Sequence, residues 1–580
     1  MKDKLQELYL EHKNQYLYYR KISQYFVAFR TIILFGYIAL VTAGIKIPAI
    51  KPYFMILFVF ITVIFILICL EHNKIRSKEN NHKISQEIIE EYFKRIDNQW
   101  QHFHDTGIDL VTEGNHIMFD LDIVGEKSLF QYLNIAKSEG GRKELIKKLS
   151  GLNISKQELF QNQQAIKELS DNLRFAVQFQ VMLRKIKGDL SKQCTTFEQK
   201  THSHKVSLYI NMVISAITLI LGIMSLLSII DNAYFCFAAV IQLSFAFIID
   251  KLNDREFEMI KKCSLSFKNL FPIFKYINQQ SFQSELLKEI QNDILNGEET
   301  MSSLNKIYDL NSCRNHFLGY ILTNSILPLN TYILYSFDKT KEKSLNTLKD
   351  SISSFELLES LISLSVIGVC KENICMPVFI DDIQMTFDHI KHPLLNETEC
   401  ISNSFCTDFG VNIITGSNMS GKTSFMRTVG MNLILMYAGT FVNASSFCAP
   451  YMKIFTSMRV NDDIDRGIST FYGELLRIKD IIEYLNEGLP FIVFIDEIFK
   501  GTNYNDRIYG AKEVISKINK ENSIVFITTH DFELCNSENI SNYYFEEYYE
   551  DNKIKFDYKI KKGQCKTTNA KFLMKELKII

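Results

Sequence analysis

The sequence predicts a mostly parallel α/β domain at the C-terminal end of a long all-α region, with four membrane-spanning helices in two hairpins. Three observations lead to this prediction. A glycine-rich loop joins a short apolar strand to a helix at Ile413–Arg427, apolar residues recur every three or four positions through two long blocks, and four stretches are apolar and uncharged. A chain of 580 residues is too long for one hydrophobic core, so several domains are expected.

The composition argues against two classes of protein. The chain has 65 Lys and Arg against 66 Asp and Glu, so it lacks the overall field of a strongly basic nucleic-acid binder, although a local basic face fits within a neutral total. None of the twelve cysteines forms a C-x-x-C pair, and Cys370 and Cys375 do not have the spacing of a zinc half-site. We therefore expect reduced thiols in a cytosolic compartment, without a disulfide framework or a metal-binding cluster.

Four uncharged segments predict membrane spans. Thr31–Ile45 and Tyr53–Leu70 form a first hairpin, and Val206–Ile230 and Asn232–Ile249 form a second one. Buried core helices are the alternative, and the fifteen residues of the first segment are short enough to fit it. The twenty-five residues of the third segment exceed what a soluble helix needs. A charge at the bilayer centre, which all four segments avoid, costs roughly 3 kcal/mol or more.

The residues that flank the hairpins predict their orientation. Lys and Arg are frequent before Thr31, after Leu70 and after Ile249, and scarce in the outer loops. The positive-inside rule places both termini and the middle segment in the cytoplasm, with the hairpins in the cytoplasmic membrane. The predicted domains are a cytosolic tail at 1–30, hairpins at 31–70 and 206–249, helical regions at 71–205 and 250–375, and the α/β domain at 376–580.

The blocks of helical periodicity, residues 84–200 and 252–370, contain few prolines, and we expect long amphipathic helices packed into a rod-like domain. From Met376 onwards short β-type runs alternate with helices, which is typical of a parallel sheet that binds ligands at the C-terminal ends of its strands. The expected strands are Phe379–Phe387, Asn412–Thr415, Phe491–Ile495, Ile524–Thr528 and Tyr543–Phe556.

The loop that follows Asn412–Thr415 has the G-x-x-x-x-G-K-[ST] spacing of a phosphate loop. Glycines in such a loop let successive backbone N–H groups and the helix N-terminus point at phosphate oxygens. The side chain of Lys422 would reach the β and γ phosphates, and the Thr423 hydroxyl would be a ligand of Mg²⁺. The residues of the loop are Gly416, Ser417, Asn418, Met419, Ser420, Gly421, Lys422 and Thr423.

Two further strand ends carry residues suited to the same chemistry. The apolar run Phe491–Ile495 ends in Asp496 and Glu497, of which the first would hold Mg²⁺ and the second would orient the attacking water as a base. Beyond Ile524–Thr528, His530 would lie beside the γ-phosphate, where an imidazole can sense or polarise it. Solvated acids or an exposed histidine at a strand end are ordinary by themselves. Their combination with the phosphate loop predicts a nucleotide site.

With these parts in place the chain resembles the MutS family of ABC-type ATPases. The motifs that carry the resemblance are TGSNMSGKT (415–423), YAGTFVNA (437–444), FTSMRVNDDIDRGISTFYGEL (455–475), VFIDEIFKGTNYND (493–506) and ITTHDFEL (527–534), in family order. A weaker likeness covers LDIVGEKSLFQYLN (121–134) with Gly141-Arg142, FELLESLISLS (355–365) and His392-Pro393. The resemblance extends over most of the chain outside the hairpins.

The resemblance implies an ATP hydrolase that uses ATP and Mg²⁺ and works as a homodimer. In that family the serine loop of one subunit completes the phosphate loop of the other, and the serine here is Ser469, which from the residues alone is, with Thr470, a candidate helix cap. The resemblance also gives Glu497 the role of activating water and His530 that of sensing the γ-phosphate. The turn that would cross the dimer interface contains Gly501, Thr502, Asn505 and Asp506.

The chain also departs from the family's pattern. Mismatch-reading members have a soluble N-terminal domain with a Phe-x-Glu wedge, whereas only about thirty residues precede the first hairpin. The second hairpin stands where the family inserts its DNA clamp, and the chain ends at Ile580 without the terminal dimerisation helices of bacterial mismatch-repair members. We expect a membrane-anchored variant that lacks the mismatch-reading domain.

Two functions fit these features. The first is a membrane-anchored ATPase that couples ATP hydrolysis to the binding of double-stranded DNA. The second is a mechanochemical ATPase in the lipid bilayer that acts on a protein or lipid partner without binding DNA. Two basic groups support the first function, although solvated helix faces explain them more simply: they are Lys143, Lys147 and Lys148, and Arg184, Lys185 and Lys187.

Overall fold

A computed structural model describes residues 1–46, 51–111, 115–151, 155–186, 203–417, 419–459, 470–550 and 553–565. The chain divides into two compact units. The first comprises Met1–Trp100 and Asn172–Val181, and the second comprises Gln101–Asp171 and Met182–Ile580.

The first unit is built on two long antiparallel helices, Lys2–Lys46 and Lys51–Ile96. The predicted first hairpin forms one end of this pair, and its apolar side chains, such as Phe35, are exposed. The predicted N-terminal tail is the beginning of the first helix. Leu5 and Leu8 are buried on one face of this segment, so that it packs as a helix and does not extend freely from the hairpin.

Among the described residues, five helices are long and apolar enough to cross a membrane, judged by length and composition alone. Four of them cover the uncharged segments of the two predicted hairpins, except that the helix for Val206–Ile230 ends at Leu226. The fifth is buried over most of its apolar stretch, unlike the first four. In chain order they are Lys2–Lys46, Tyr53–Ile96, Lys205–Leu226, Asn232–Leu252 and Leu329–Cys370.

The helical part of the second unit is organised around Leu329–Cys370, a helix of 42 residues and about 63 Å. It packs against Glu285–Arg314, Glu139–Leu149 and Lys156–Asp171. The apolar positions predicted along it are all buried: Leu348, Ile352, Phe355, Leu358 and Leu361. The other helices of this region are His116–Asp120, Leu129–Leu133, Lys205–Leu226, Asn232–Leu252, Asp254–Asn278 and Phe317–Asn324. The helix Leu173–Leu183 belongs to the first unit as far as Val181.

Glu359 joins this long helix to the start of Glu139–Leu149. Its buried carboxylate accepts hydrogen bonds from the backbone N–H of Lys137 at 2.9 Å and of Ser138 at 3.3 Å, and also from the Ser138 hydroxyl. A Cβ added to Gly141 would lie 2.5 Å from Glu359 Oε2, so a glycine is required for this close approach. The motifs around Gly141-Arg142 and FELLESLISLS, which are distant in sequence, therefore pack against each other.

The α/β domain contains twelve strands among the described residues and three helices, Lys422–Tyr437, Thr470–Leu485 and Tyr504–Ile518. The strands are β1 Val378–Phe379, β2 Met385–Ile390, β3 Asn403–Thr407, β4 Gly410–Thr415, β5 Ser446–Ala449, β6 Lys453–Ser457, β7 Phe491–Asp496, β8 Ser523–Thr528, β9 Ile540–Tyr544, β10 Glu547–Glu550, β11 Lys553–Phe556 and β12 Lys561–Lys562. The main sheet has the order β12-β9-β4-β8-β7-β6 and is parallel except for β12. A smaller sheet has the order β1-β5-β2-β3.

Three expected strands are confirmed as β4, β7 and β8, each one or two residues longer than predicted. Two other predictions are wrong, because each expected strand is in fact divided into separate strands. Phe379–Phe387 divides into β1 and β2, which pair with β5 on opposite sides in the smaller sheet. Tyr543–Phe556 divides into β9 in the main sheet and the antiparallel pair β10 and β11. The prediction missed β3, β5 and β6, which are four or five residues long, and β12, which has two residues.

The first predicted basic group is not an open cationic face. Lys143 pairs with Glu139 at 2.6 Å, and Lys147 lies 3.5 Å from Glu144. Lys148 is 8% exposed, and its Nζ donates to Asn162 Oδ1 at 3.3 Å. In the second group, Lys187 lies outside the described residues.

The cysteines that the structure describes are all free thiols. The described residues also contain no cluster of three or more His, Cys, Asp or Glu side chains able to hold a metal ion. Burial raises the pKa of Cys263, Cys375 and Cys535 to about 11, so these thiols are neutral and unreactive at neutral pH.

Candidate functional site

The candidate site lies at the C-terminal edge of the parallel sheet, where β4, β7 and β8 end side by side. Strand β8 pairs with β4 on one side and with β7 on the other. Asp496, the last residue of β7, is directly opposite Thr528, the last residue of β8. This register brings the loop after Thr415 next to the acids that are some eighty residues further along the chain.

Backbone geometry at the loop depends on its glycines. Gly416 and Gly421 have φ angles of 149° and 104°, a region that disfavours residues with a Cβ. A Cβ on Gly416 would lie 2.7 Å from the carbonyl oxygen of Phe545 and 2.9 Å from Ser420 Oγ. Met419 has a φ of 68° and is exposed, and Asn418 lies outside the described residues.

Lys422 points into the loop and is 6% exposed. Its Nζ donates to the carbonyl oxygens of Gly416 at 2.7 Å and Ser417 at 3.0 Å, and lies 3.4 Å from His530 Nε2. Burial lowers the pKa of Lys422, and the carboxylates of Glu497 and Asp496 oppose that effect. The ammonium group is therefore held at the centre of the loop.

The side chain of Thr423 contacts the acid at the end of β7. Its Oγ1 lies 3.0 Å from each of the two carboxylate oxygens of Asp496. The hydroxyl of Thr528 donates to Asp496 Oδ1 at 2.5 Å. A hydroxyl and a carboxylate in contact are oxygen ligands of the kind that Mg²⁺ prefers, so this pair could hold that ion.

Glu497 follows in the left-handed conformation, with a φ of 57°. Its Oε1 lies 3.2 Å from His530 Nε2, and its Oε2 lies 3.3 Å from Lys500 Nζ. The hydrogen bond with His530 and the nearby Lys500 lower the pKa of Glu497 to about 2 despite its partial burial. The carboxyl group is ionised at neutral pH, as a group that accepts a proton must be.

The structure brings together Lys422, Thr423, Asp496, Glu497 and His530, which the sequence placed in one site. Ser469 lies outside the described residues, immediately before the helix that begins at Thr470.

The turn Gly501–Asp506 lies beside the start of that helix. A Cβ on Gly501 would lie 2.8 Å from Phe471 Cβ, so the turn packs closely on the first helical turn. Asn503 caps Tyr504–Ile518 by accepting from the backbone N–H of Asp506 at 3.0 Å. Thr502 is half-buried, while Asn505 and Asp506 are exposed.

Two parts of the site were missed by the sequence analysis. The Ser417 hydroxyl donates to Glu547 Oε2 at 2.8 Å, which joins the glycine-rich loop to β10. Both Glu547 Oε1 and Ser420 Oγ are buried without a hydrogen-bond partner among the described residues. No local motif marks Glu547, because its contact spans 130 positions.

The second missed part is a cavity beside the loop. Ser424, Phe425 and Thr428 line it from the helix that begins at Lys422, and His392 and Tyr558 line it from other segments. Burial lowers the pKa of His392 to about 4, so its imidazole is neutral at pH 7. Apolar and aromatic walls suit a flat, uncharged ring.

Residues of the helical region also reach this domain. Asp122 contacts Arg427 Nη1 at 3.3 Å, one turn into the helix that follows the loop, and Arg459 Nη1 at 2.6 Å. Asp120, which is buried, contacts Arg477 Nη1 at 2.7 Å. Asp122 falls inside a motif that resembled the family, yet the sequence did not reveal these partners.

Comparison with known proteins indicates one family for the C-terminal domain. The family model of MutS domain V matches residues 412–571. The chain is similar to the DNA mismatch repair protein MutS of Clostridium tetani, at 26% identity over 303 residues, covering 50% of this chain and 33% of that protein. It is also similar to the DNA mismatch repair protein MutS of Clostridium kluyveri, at 28% identity over 287 residues, covering 47% and 30% of the two chains. The matches thus span about a third of the length of these relatives.

Proposed function

This chain belongs to the MutS family through its C-terminal domain, and from that premise we propose that it is a membrane-anchored, Mg²⁺-dependent ATPase that works as a homodimer. The observation that carries the proposal is the contact of Thr423 with both carboxylate oxygens of Asp496, at 3.0 Å each, in front of a buried Lys422. These groups come from two parts of the chain, Lys422-Thr423 and Asp496, and lie where a phosphate loop needs them.

The residues present fit ATP and Mg²⁺. Ser420 Oγ is buried without a partner, and Gly416 leaves no room for a Cβ, as expected of a loop that closes around phosphate oxygens. Lys422 would neutralise the β and γ phosphates, while Thr423 and Asp496 would hold Mg²⁺, directly or through water. The bound ion would neutralise the charge that develops on the phosphates.

Glu497 is the proposed general base. Its carboxylate is ionised, and the contact with His530 orients it at the edge of the sheet. His530, within 3.4 Å of Lys422 Nζ as well, would report the presence of the γ-phosphate to both groups. We propose that Ser469 of the opposite subunit completes the site, and that Gly501, Thr502, Asn505 and Asp506 face that subunit.

The experiment that tests the ATPase compares Glu497→Gln with Glu513→Gln, an exposed acid of the same domain. Glu497→Gln should bind ATP in the presence of Mg²⁺ like the unmodified protein and lose roughly 10²–10⁴-fold in turnover, the usual contribution of a general base. Glu513→Gln should bind ATP and turn it over like the unmodified protein. Unchanged turnover in Glu497→Gln would remove this residue from the reaction.

The two hairpins are proposed to anchor the protein in the cytoplasmic membrane. Four of the helices long and apolar enough to cross a bilayer contain these segments, and they expose apolar side chains along much of their length. The protein should stay with membranes during extraction with alkaline carbonate. Release into the soluble fraction would mean that these segments are core helices and do not span a membrane.

The partner that ATP turnover serves is proposed to be double-stranded DNA, since the relatives are named for DNA mismatch repair. A protein or lipid partner is the second candidate, and the paired or buried state of Lys143, Lys147 and Lys148 favours it. Duplex binding measured across a salt series separates the two. A DNA-bound form should lose affinity steeply as salt rises, and absence of binding at low salt would leave the second candidate.

A further inference from the structure

Between Arg314 and Asp338 lies a run of 23 residues without Asp, Glu, Lys or Arg, which the predicted hairpins do not include. It begins at the end of Glu285–Arg314, forms the short helix Phe317–Asn324, turns at Pro328 and continues into the first turns of Leu329–Cys370. The run therefore consists of two helical arms joined by a turn, as in a hairpin.

The outer side of this run is apolar and exposed. The side chains of Phe317, Leu318 and Leu322 are 78%, 71% and 67% exposed, and those of Leu327 and Tyr332 are also exposed. In water such a contiguous patch on a charge-free hairpin is unfavourable, and patches of this kind mark an interaction surface. Next to it stand the second hairpin's helices, Lys205–Leu226 and Asn232–Leu252, which contact the run.

Charged pairs lie where the run and the helices of the second hairpin meet the rest of the chain. Arg314, the last charge before the run, pairs with Asp250, near the end of Asn232–Leu252. Asp338, the first charge after the run, contacts His204 Nδ1 at 2.7 Å, and His204 directly precedes Lys205–Leu226. The uncharged parts of the second hairpin and of the run thus begin at the same two groups of paired charges.

Within the uncharged parts, polar side chains without a charge form hydrogen bonds between the run and the second hairpin. Asn211 Nδ2 donates to Thr331 Oγ1 at 3.1 Å, and Asn330 Nδ2 lies 3.4 Å from the carbonyl oxygen of Ala246. These three polar side chains are fully buried. Hydrogen bonds between small polar residues are a common way for helices to associate in a bilayer, where apolar faces gain little by meeting.

The turn of the run bonds several of its own polar groups, which favours a place in hydrocarbon, where there is no water for them to pair with. The backbone N–H of Asn330 donates to Asn324 Oδ1 at 3.1 Å, and Asn324 Nδ2 donates to the carbonyl oxygen of Tyr320 at 3.2 Å. The Thr331 hydroxyl donates to the carbonyl oxygen of Pro328 at 3.0 Å. These three donors are bonded within the turn, whereas a turn in water could leave them to the solvent.

We propose that residues 315–337 form a re-entrant hairpin in the bilayer, with lipid hydrocarbon covering Phe317, Leu318 and Leu322. This inference rests on the proposed membrane anchoring by the second hairpin. Each arm has eight or nine helical residues, about 12–14 Å, which is less than half of a hydrocarbon core of about 30 Å. The hairpin accordingly enters and leaves on the cytoplasmic side, where Arg314 and Asp338 remain.

The re-entrant hairpin places the membrane at one end of a helix whose other end contacts the α/β domain. Near that other end, the Thr440 hydroxyl donates to the carbonyl oxygen of Leu364 at 2.8 Å, and both residues are buried. Thr440 follows the helix that starts at the phosphate loop. A single rigid element, Leu329–Cys370, therefore connects the lipid-facing turn with the nucleotide-binding domain.

The test replaces single residues of the full-length protein, in vesicles of phosphatidylethanolamine and phosphatidylglycerol, with the photocrosslinker p-benzoyl-phenylalanine. The positions are Leu318 and Leu322 in the run, Ile217 in the second hairpin and Phe160 on a helix of the cytoplasmic region, all large exposed apolar residues. Lipid adducts are counted by mass spectrometry after illumination, and ATP binding by each variant confirms that it is folded.

Adduct yields at Leu318 and Leu322 are expected to approach the yield at Ile217 and to exceed that at Phe160 at least tenfold. Adducts at Ile217 with none at the two run positions would overturn the re-entrant hairpin and leave the anchoring in place. Absence of adducts at Ile217 as well would overturn the anchoring and this inference with it. Equal labelling at Phe160 would also count against the inference, since the adducts would then not report burial in lipid.

Discussion

The Asp120 carboxylate accepts a hydrogen bond from Arg477 Nη1 at 2.7 Å, with Asp120 only 1% exposed. Its two oxygens also accept from the backbone N–H groups of Met458 and Arg459, at 3.1 Å each. Met458 and Arg459 precede the segment that contains Ser469, and Arg477 lies in the helix that follows it. One carboxylate of the helical region therefore contacts residues on both sides of the segment that contains Ser469.

Asp120→Ala should impair ATP turnover and lower the melting temperature, because Arg477 would remain largely buried without its partner. Breaking a buried ion pair by removing one member costs about 3–5 kcal/mol. Asp109→Ala is the matched control, since Asp109 is an exposed partner of Arg142 at 2.8 Å and such a pair contributes at most about 1 kcal/mol. Equal melting temperatures and turnover for the two variants would contradict a role for Asp120 in fixing the loop.

Mixing two inactive variants tests whether the site is composite. Lys422→Ala removes the phosphate-loop lysine, and Ser469→Arg blocks the loop offered to the partner, so each homodimer should be inactive. A mixed dimer contains one intact pairing of Lys422 with Ser469. An equimolar mixture should recover about a quarter of the unmodified turnover, because half of randomly paired dimers have one working site of two. No recovery after subunit exchange would argue against Ser469 acting across the interface.

The cavity lined by Phe425, Thr428 and Tyr558 predicts where the base of the nucleotide binds. Ser424 is exposed at its edge, and Ser424→Trp should fill it and raise the KM for ATP at least tenfold. Binding of Mg²⁺-tripolyphosphate, which has no base, should be unaffected because Lys422 is unchanged. Loss of tripolyphosphate binding would show instead that the tryptophan disturbs the phosphate loop. Glu513→Trp, on an exposed helix face, controls for the added ring.

Residues of the site differ in how well the sequence predicts them, and the difference follows from the range of the interactions involved. Lys422 and Thr423 are set by a local loop, and Asp496 and His530 by the ends of apolar strands, so motif and periodicity were enough to bring them together. Glu547 and Asp120 act through partners 130 and more than 330 positions away. No local pattern marks such contacts, because only the packing of the whole domain creates them.

The same reasoning explains the errors in the fold. Strands that are continuous apolar runs, such as β7, were predicted to within one or two residues, whereas the segment Tyr543–Phe556 kept a β-type composition across three separate strands. Composition does not indicate which sheet a strand joins. The sequence does not mark the run at 315–337 as a membrane segment, because each of its arms is too short to resemble a membrane span.

Lys148 should make the folded state more stable as the pH rises above 8. Burial lowers its pKa to about 8, well below the ordinary value of 10.5, and its Nζ has the neutral amide oxygen of Asn162 within 3.3 Å. Below pH 8 both the folded and the unfolded chain hold this proton. Between pH 8 and 10.5 the unfolded chain keeps the proton that the folded chain has lost, so folding becomes more favourable as the pH rises.

The contribution of Lys148 can be measured by comparing the melting temperature of the unmodified protein with that of Lys148→Met. The methionine side chain has a similar length and cannot titrate. As the pH rises from 8 to 10.5, the melting temperature of the unmodified protein should increase relative to that of Lys148→Met, by an amount corresponding to at most about 3 kcal/mol. Lys143→Met serves as the control, because Lys143 is exposed and paired with Glu139 on the same helix. A constant difference between the unmodified protein and Lys148→Met over this range would mean that water reaches the Lys148 ammonium group in the folded state.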